Sequence, residues 1–150
     1  MPAPVKITFL GGLGEIGRNC ACVEVDGRIM LLDCGLMFPD ADMLGIDLVL
    51  PDFSYLRDNA DRIDGCIATH GHEDHVGALS YLLRELSFPV YGSALTLGLA
   101  RGRIEEAGLL KKTELIPVRD GERIQVGPFD LEFIPVTHSV PHAFATAFHT

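Results

Sequence analysis

Thr69-His70-Gly71-His72-Glu73-Asp74-His75 places three imidazoles and two carboxylates within six consecutive positions. The apolar run just before it, Gly65 to Thr69, predicts a short buried strand that delivers His70 at its C-terminal edge. Just after it, Leu79, Leu82, Leu83 and Leu86 recur at helical spacing, so Val76 to Leu86 is expected to form a helix directly behind the cluster. His70 and His72, two apart in extended chain, project to the same side and can grip one metal ion. Asp74 and His75 follow where the backbone turns, and their side chains can reach a second ion beside the first. Two cations sharing such a cluster lower the pKa of water and stabilise charge on an attacked group, so hydrolysis is the expected chemistry, with Asp74 and His75 serving it. The alternative is a surface loop in which histidines and acids cluster by chance. The strand and helix on either side argue against it.

Working outward, His138 in Pro135-Val136-Thr137-His138-Ser139-Val140-Pro141 ends a strand as His70 does and would complete a three-histidine grip on the first ion. His142, in a loop, and His149, on a strand, are read as non-ligands. Asp33 closes the apolar run Ile29-Met30-Leu31-Leu32 ahead of Cys34-Gly35, which carries a carboxylate to the same sheet edge. It is expected to orient a ligand histidine or the bend behind the site, the alternative being a strand-end turn former. Gly11-Gly12-Leu13-Gly14-Glu15-Ile16-Gly17 lacks the Gly-Lys-Ser/Thr ending of a phosphate loop and any acidic ribose reader at the expected distance, so nucleotide binding is rejected there. Tight turns near the rim of the site explain those glycines better.

The rest of the chain alternates sheet and helix. Val5 to Leu10 reads as a strand, and Asn19 to Val25 and Arg28 to Asp33 flank Asp26-Gly27, a hairpin signal. A loop through Pro39 and Pro51 leads to a helix over Phe53 to Arg62. Pro89 to Tyr91 is a short strand, Ser93 to Ala107 a helix capped by Ser93 and stopped by Gly108, and Glu114 to Val118 another strand. Glu122 to Val126 and Phe129 to Val136, joined through Gly127-Pro128, and Phe144 to His149 return to sheet. The sum is a mixed α/β layered fold. The helices are too few for two full layers, so the chain is expected to be the first part of a domain, cut inside its last strand.

Across 150 residues, 47% are hydrophobic and 22% charged, with a net charge of −9. That balance excludes a self-sufficient basic nucleic-acid module, but not a phosphodiester enzyme, because bound divalent cations invert the local field. No apolar signal core or membrane-length stretch is present, and a cytosolic protein is expected. Cys20, Cys22, Cys34 and Cys66 lie in apolar runs without CxxC spacing and are expected to be buried free thiols.

The Thr69 to His75 run matches the HxHxDH signature of the metallo-β-lactamase superfamily, a motif specific to fold but not to substrate. Further stretches resemble the ribonuclease J family: Leu10 to Asn19, Leu32 to Pro39, Gly45 to Asp52, Thr69 to Leu79, Pro89 to Gly92 and Thr137 to Pro141. The resemblance implies an αββα sandwich of which residues 1–150 are the first half only, with a β-CASP domain absent. It implies a cytoplasmic RNA hydrolase with 5′ exonuclease and endonuclease activity, working as a homodimer or higher assembly. Matched by motif, one zinc ion falls on His70, His72 and His138 and a second on Asp74 and His75. A structural calcium ion falls on the backbone carbonyls of Leu44 and Ile46. The family's bridging aspartate and last ligand histidine would lie beyond Thr150, so these 150 residues alone are expected to have little turnover. The acidic residue that usually follows the Ser-Ile/Val-Pro segment is His142 in this chain. Two other readings stay open: a small-molecule hydrolase of the same fold, of thioesterase or glyoxalase II type, and an inactive metal-binding module.

Overall fold

A computed structural model describes residues 1–150. Six strands, β1 (Lys6–Gly11), β2 (Cys20–Val25), β3 (Arg28–Leu32), β4 (Ile63–Ile67), β5 (Val90–Gly92) and β6 (Leu115–Pro117), form one sheet in that order. Pairing is antiparallel from β1 to β3 and parallel from β3 to β6. A second, antiparallel sheet holds β7 (Arg123–Val126), β8 (Phe129–Val136) and β9 (Ala143–His149). Helices α1 (Ser54–Asp58), α2 (Glu73–Val76), α3 (Leu79–Leu83) and α4 (Ala94–Glu106) complete the elements. No helix is long and apolar enough to cross a membrane.

Strands β2 to β5 read as apolar runs because both faces of the sheet are covered there. On one face Cys22, Ile29, Leu31, Cys66 and Val90 meet Leu56, Leu79, Leu82, Leu97 and Ile104 from the helices. On the other, Val25, Met30, Ile67 and Tyr91 meet Phe129, Leu131, Phe133 and Phe144 of the second sheet. Along β8 the buried Phe129, Leu131 and Phe133 alternate with the half-exposed Asp130 and Glu132, the period-two pattern of a strand with one wet face. Burying each of those three side chains contributes roughly 1.5–3 kcal/mol. The result is helix, sheet and sheet in sequence, the mixed α/β layering expected. All four cysteines are buried and free.

Two expected helices are broken, each for a local reason. Over Phe53 to Arg62 the α-helix ends at Asp58, because the Asn59 amide donates to the Tyr55 carbonyl at 2.8 Å and the chain tightens into a 3-10 turn at Ala60–Arg62. Strand β4 then starts at Ile63, two residues earlier than expected, and Asp64 near its start accepts from Arg28 Nε at 3.1 Å. The helix expected over Val76 to Leu86 splits into α2, which begins at Glu73 within the histidine motif, and α3. In an unbroken helix the Ala78 N–H would bond to the Asp74 carbonyl. Here it donates to Cys34 O at 3.0 Å, while Asp74 O accepts from Asn19 N at 3.0 Å.

This exchange is one part of a wider clamp. The segment leaving β3 donates Cys34 N to His75 O at 2.8 Å and Leu36 N to Glu73 O at 3.0 Å. Gly35 lies between those contacts, where a Cβ would fall 1.6 Å from Asp74 O. Backbone against backbone cannot give way as a flexible side chain can. Gly35→Ala is therefore expected to destabilise the protein by more than ~3 kcal/mol, seen as a large drop in thermal midpoint or loss of soluble protein. A midpoint within a few degrees of the parent would show that the clamp yields easily.

Candidate metal centre

At the C-terminal edge of the first sheet, β4 ends at Ile67 and the next residues are taken up by partners on three sides. Ala68 N donates to Tyr91 O at 2.8 Å, Thr69 N to Asp33 Oδ1 at 2.8 Å, and Thr69 O accepts from Phe144 N of β9 at 2.9 Å. His70 is thus presented from a segment tied to both sheets. His138 arrives from the other side, two residues past the end of β8.

His70, His72 and His138 converge, with one ligand nitrogen from each lying within 4.8 Å of the others. His70 Nε2 and His138 Nε2 are 3.1 Å apart. Two imidazole nitrogens bound to one tetrahedral zinc ion at ~2.05 Å would be about 3.3 Å apart, so the donor set fits a metal ion. Burial, reinforced by the positive potential of His75, His138 and His72, lowers the His70 pKa to about 4. His70 is therefore neutral at physiological pH, the form that ligates.

Asp33 organises the other side of the site. It sits just past β3 with a left-handed φ of 61°, and it is 5% exposed. Its Oδ2 accepts from Thr69 Oγ1 at 2.9 Å and lies 2.6 Å from His75 Nδ1. Since the Thr69 hydroxyl spends its proton on Asp33, its oxygen receives the Nδ1–H of His70, 2.9 Å away. One carboxylate thereby sets both tautomers, directly at His75 and through Thr69 at His70, and leaves each Nε2 lone pair facing the site. Burial opposes a charged His75, but the hydrogen bond and negative charge of Asp33 outweigh it and raise the His75 pKa.

Asp74 and His75 are brought together as expected, with Asp74 Oδ2 3.5 Å from His75 Nε2 and the His75 ring 4.1 Å from that of His70. Glu73 leads elsewhere, its carboxylate pairing with Arg103 on α4 at 2.8 Å. Leu44 and Ile46 lie in an exposed turn of the loop between Leu36 and Phe53, outside the histidine cluster. His142 occupies an exposed turn with φ 60°, and His149 pairs with Glu132 at 2.7 Å. Neither joins the cluster. Two contributors lay outside the sequence reading. The Thr69 hydroxyl had only its place beside His70 to betray it. Asn19, 55 residues from Asp74, had only its polarity at the head of an apolar strand.

Comparison with known proteins places this geometry. The family model described as "Metallo-beta-lactamase superfamily" matches residues 13–146. The chain belongs to that superfamily. Among curated relatives, "Ribonuclease J" of Synechocystis sp. is 47% identical over 148 residues, covering 97% of this chain and 23% of the relative. "Ribonuclease J 1" of Streptococcus pyogenes serotype M3 is 39% identical over 149 residues, covering 99% of this chain and 27% of the relative. The chain thus spans about a quarter of the length of these relatives. Among solved structures, the metallo-β-lactamase fold protein YhfI from Bacillus subtilis superposes with a TM-score of 0.65 at 22% identity, over 97% of this chain and 58% of that one. A superfamily of this kind and the His70/His72/His138 cluster together point to a metal ion.

Burial among imidazoles lowers the pKa of His70, while the Asp33 hub raises that of His75. In metal-free protein followed by histidine NMR, His70 is expected to stay neutral down to about pH 4. His75 should titrate above the ordinary value of about 6.5, and Asp33→Asn should bring it down. Because the folded state resists protonation of His70, that residue's contribution to stability is lost as pH falls from about 6.5 toward 4. His75 acts oppositely, stabilising below about pH 6.5 and losing that contribution as pH rises through its elevated folded value. A His70 that titrates normally would contradict its burial among imidazoles, and a His75 indifferent to Asp33→Asn would contradict the hub.

Proposed function

We propose that this chain carries the metal-binding part of a zinc-dependent ribonuclease of the ribonuclease J type, hydrolysing RNA phosphodiesters by 5′ exonucleolytic and endonucleolytic attack in the cytoplasm. The observation that carries the substrate is the 47% identity, across 97% of the chain, to a protein named ribonuclease J. The superfamily alone leaves the substrate open. Self-association with a second copy, and a structural calcium ion at the Leu44 and Ile46 carbonyls, belong to the same reading.

His70, His72 and His138 would hold one ion and Asp74 with His75 a second, a mixed imidazole and carboxylate set that suits zinc. When bound, such ions supply activated water and offset charge at the attacked phosphorus. The chain's own residues prepare the place. Asp33 and Thr69 keep the Nδ1 protons of His75 and His70 on the far side of each ring, so in the neutral imidazoles the Nε2 atoms carry the free lone pairs. The lowered pKa of His70 keeps it neutral without a proton having to leave on binding. The net charge of −9 gives the chain no general attraction for a polyanion, and bound cations would make the centre the place that draws phosphate. The remaining grip on RNA then falls to other parts of the protein.

His72→Ala and Asp74→Ala in the full-length protein are expected to lower its zinc content and to cut degradation of 5′-monophosphorylated RNA by more than the ~10–100-fold typical of lost outer partners. Metal analysis and a labelled-RNA assay measure both. Variants that keep full metal content and degrade RNA normally would overturn the proposal. A wild-type protein that hydrolyses small thioesters and leaves RNA intact would favour the small-molecule alternative.

A further inference from the structure

Asn19 is held at the head of β2 by its own backbone, its N–H donating to Asp74 O at 3.0 Å and its carbonyl accepting from Gly35 N at 2.9 Å. Its side chain points at the Asp74/His75 pair. Nδ2 donates to the Asp74 carbonyl at 3.0 Å, and it lies 3.4 Å from Asp74 Oδ2 and 3.4 Å from His75 Nε2. Asp74 Oδ2 and His75 Nε2 are themselves 3.5 Å apart. The amide nitrogen and the two prospective ligand atoms therefore form a nearly equilateral triangle.

The chemistry of that triangle is informative. Asp33 fixes the proton of neutral His75, the form that ligates, on Nδ1, so Nε2 is then an acceptor, and the Asp74 carboxylate is an acceptor as well. Two acceptors 3.5 Å apart repel unless something positive faces both. In the metal-free protein, the partial positive charge of the amide N–H group takes that part. One amide hydrogen is engaged at normal length with the Asp74 carbonyl. The other is shared between two partners at 3.4 Å, beyond the usual range for a strong N–H bond, so it aligns both acceptors while binding neither tightly. A donor held in this way orders the pair in advance and is readily supplanted by a full cation.

We infer that Asn19 is the positioning residue of the Asp74/His75 half-site: its amide holds Asp74 Oδ2 and His75 Nε2 at chelating separation before an ion arrives. This rests on the two-ion reading above. It also makes the two half-sites separable, since Asn19 touches neither His72 nor His138 and its amide serves the second pair alone.

Zinc titration of metal-free protein by calorimetry tests the inference, with His72→Ala used to identify the binding step that belongs to His70, His72 and His138. In Asn19→Ala that step should stay within about twofold of wild type, while the other weakens by ~10–100-fold, the scale for partners that orient a ligand. NMR of the metal-free variant should show the His75 Nε2 signal moved or broadened, with the His138 signals unchanged. If Asn19→Ala does not fold, Asn19→Ser keeps a hydroxyl donor on a shorter arm and should give a smaller but equally one-sided loss. Equal weakening of both steps, accompanied by a lowered melting temperature, would make Asn19 a scaffold residue and overturn the inference. So would two steps that are both unchanged. A wild-type protein that binds zinc in one step through the three histidines would overturn the two-ion reading itself, and its distinct signature is an Asp74→Ala variant with unaltered binding.

Discussion

The centre depends on main-chain hydrogen bonds between the segment leaving β3 and the carbonyls of Glu73, Asp74 and His75. A helix normally spends those carbonyls on its own N–H groups. Here Asn19 and Cys34 take those of Asp74 and His75, Leu36 shares that of Glu73 with Gly77, and Ala78 returns its N–H to Cys34 O. The helix is opened directly behind the motif, between α2 and α3, so that Glu73, Asp74 and His75 occupy one short turn pinned from outside by the segment leaving β3. Such an approach leaves no room for a Cβ at position 35, and it places Asp33 in a left-handed conformation that directs its carboxylate back under the histidines. Sheet order contributes too, because parallel pairing of β3 with β4 brings Asp33 and Thr69 to the same edge.

On that scaffold a single buried carboxylate distributes order outward. Asp33 accepts from the Thr69 amide, the Thr69 hydroxyl and His75, and through Thr69 it reaches His70. A buried anion with three donors is well satisfied, whereas one with fewer would cost the desolvation of its empty lone pairs. The opposite pulls on His70 and His75 follow from the same arrangement. His70 is surrounded by imidazoles and has no acid in contact, while His75 touches the acid directly. A gradient of basicity across some 4 Å thus arises from burial among imidazoles at His70 and contact with Asp33 at His75.

Much of this was legible in the sequence because it is carried by local pattern. The strands announce themselves by apolar runs, the hairpin by Asp26-Gly27, α4 by Ser93 at its cap, and the cluster by the spacing of His70, His72, Asp74 and His75. Even Asp33 and His138 could be placed, since each ends a strand and strands of one sheet share an edge. What was not legible depends on partners far away in the chain. Nothing near Ala78 signals that its N–H will leave the helix for Cys34, and nothing near Asn19 signals Asp74. The break at Asn59 was nearer to hand, an Asn able to bond the carbonyl four residues back, yet the same residue type sits quietly in many helices. The proposed substrate is read only through likeness to relatives, because this donor set is common to many hydrolases.

The two sheets have unequal duties in the centre, and that inequality bears on stability. His70, His72, Asp74 and His75 come from the first sheet and its clamp, but His138 stands at the end of β8 and reaches them only if the second sheet is docked. Docking rests on Phe129, Leu131, Phe133 and Phe144 against Met30, Ile67 and Tyr91, and on the bond from Phe144 N to Thr69 O beside His70. An ion held by all three histidines therefore cross-links the sheets at the end where that apolar layer gives way to the site. Part of its binding free energy is then free energy of sheet docking. A substitution deep in the inter-sheet layer, remote from any ligand, weakens metal binding through His138 first and leaves the Asp33 hub in place.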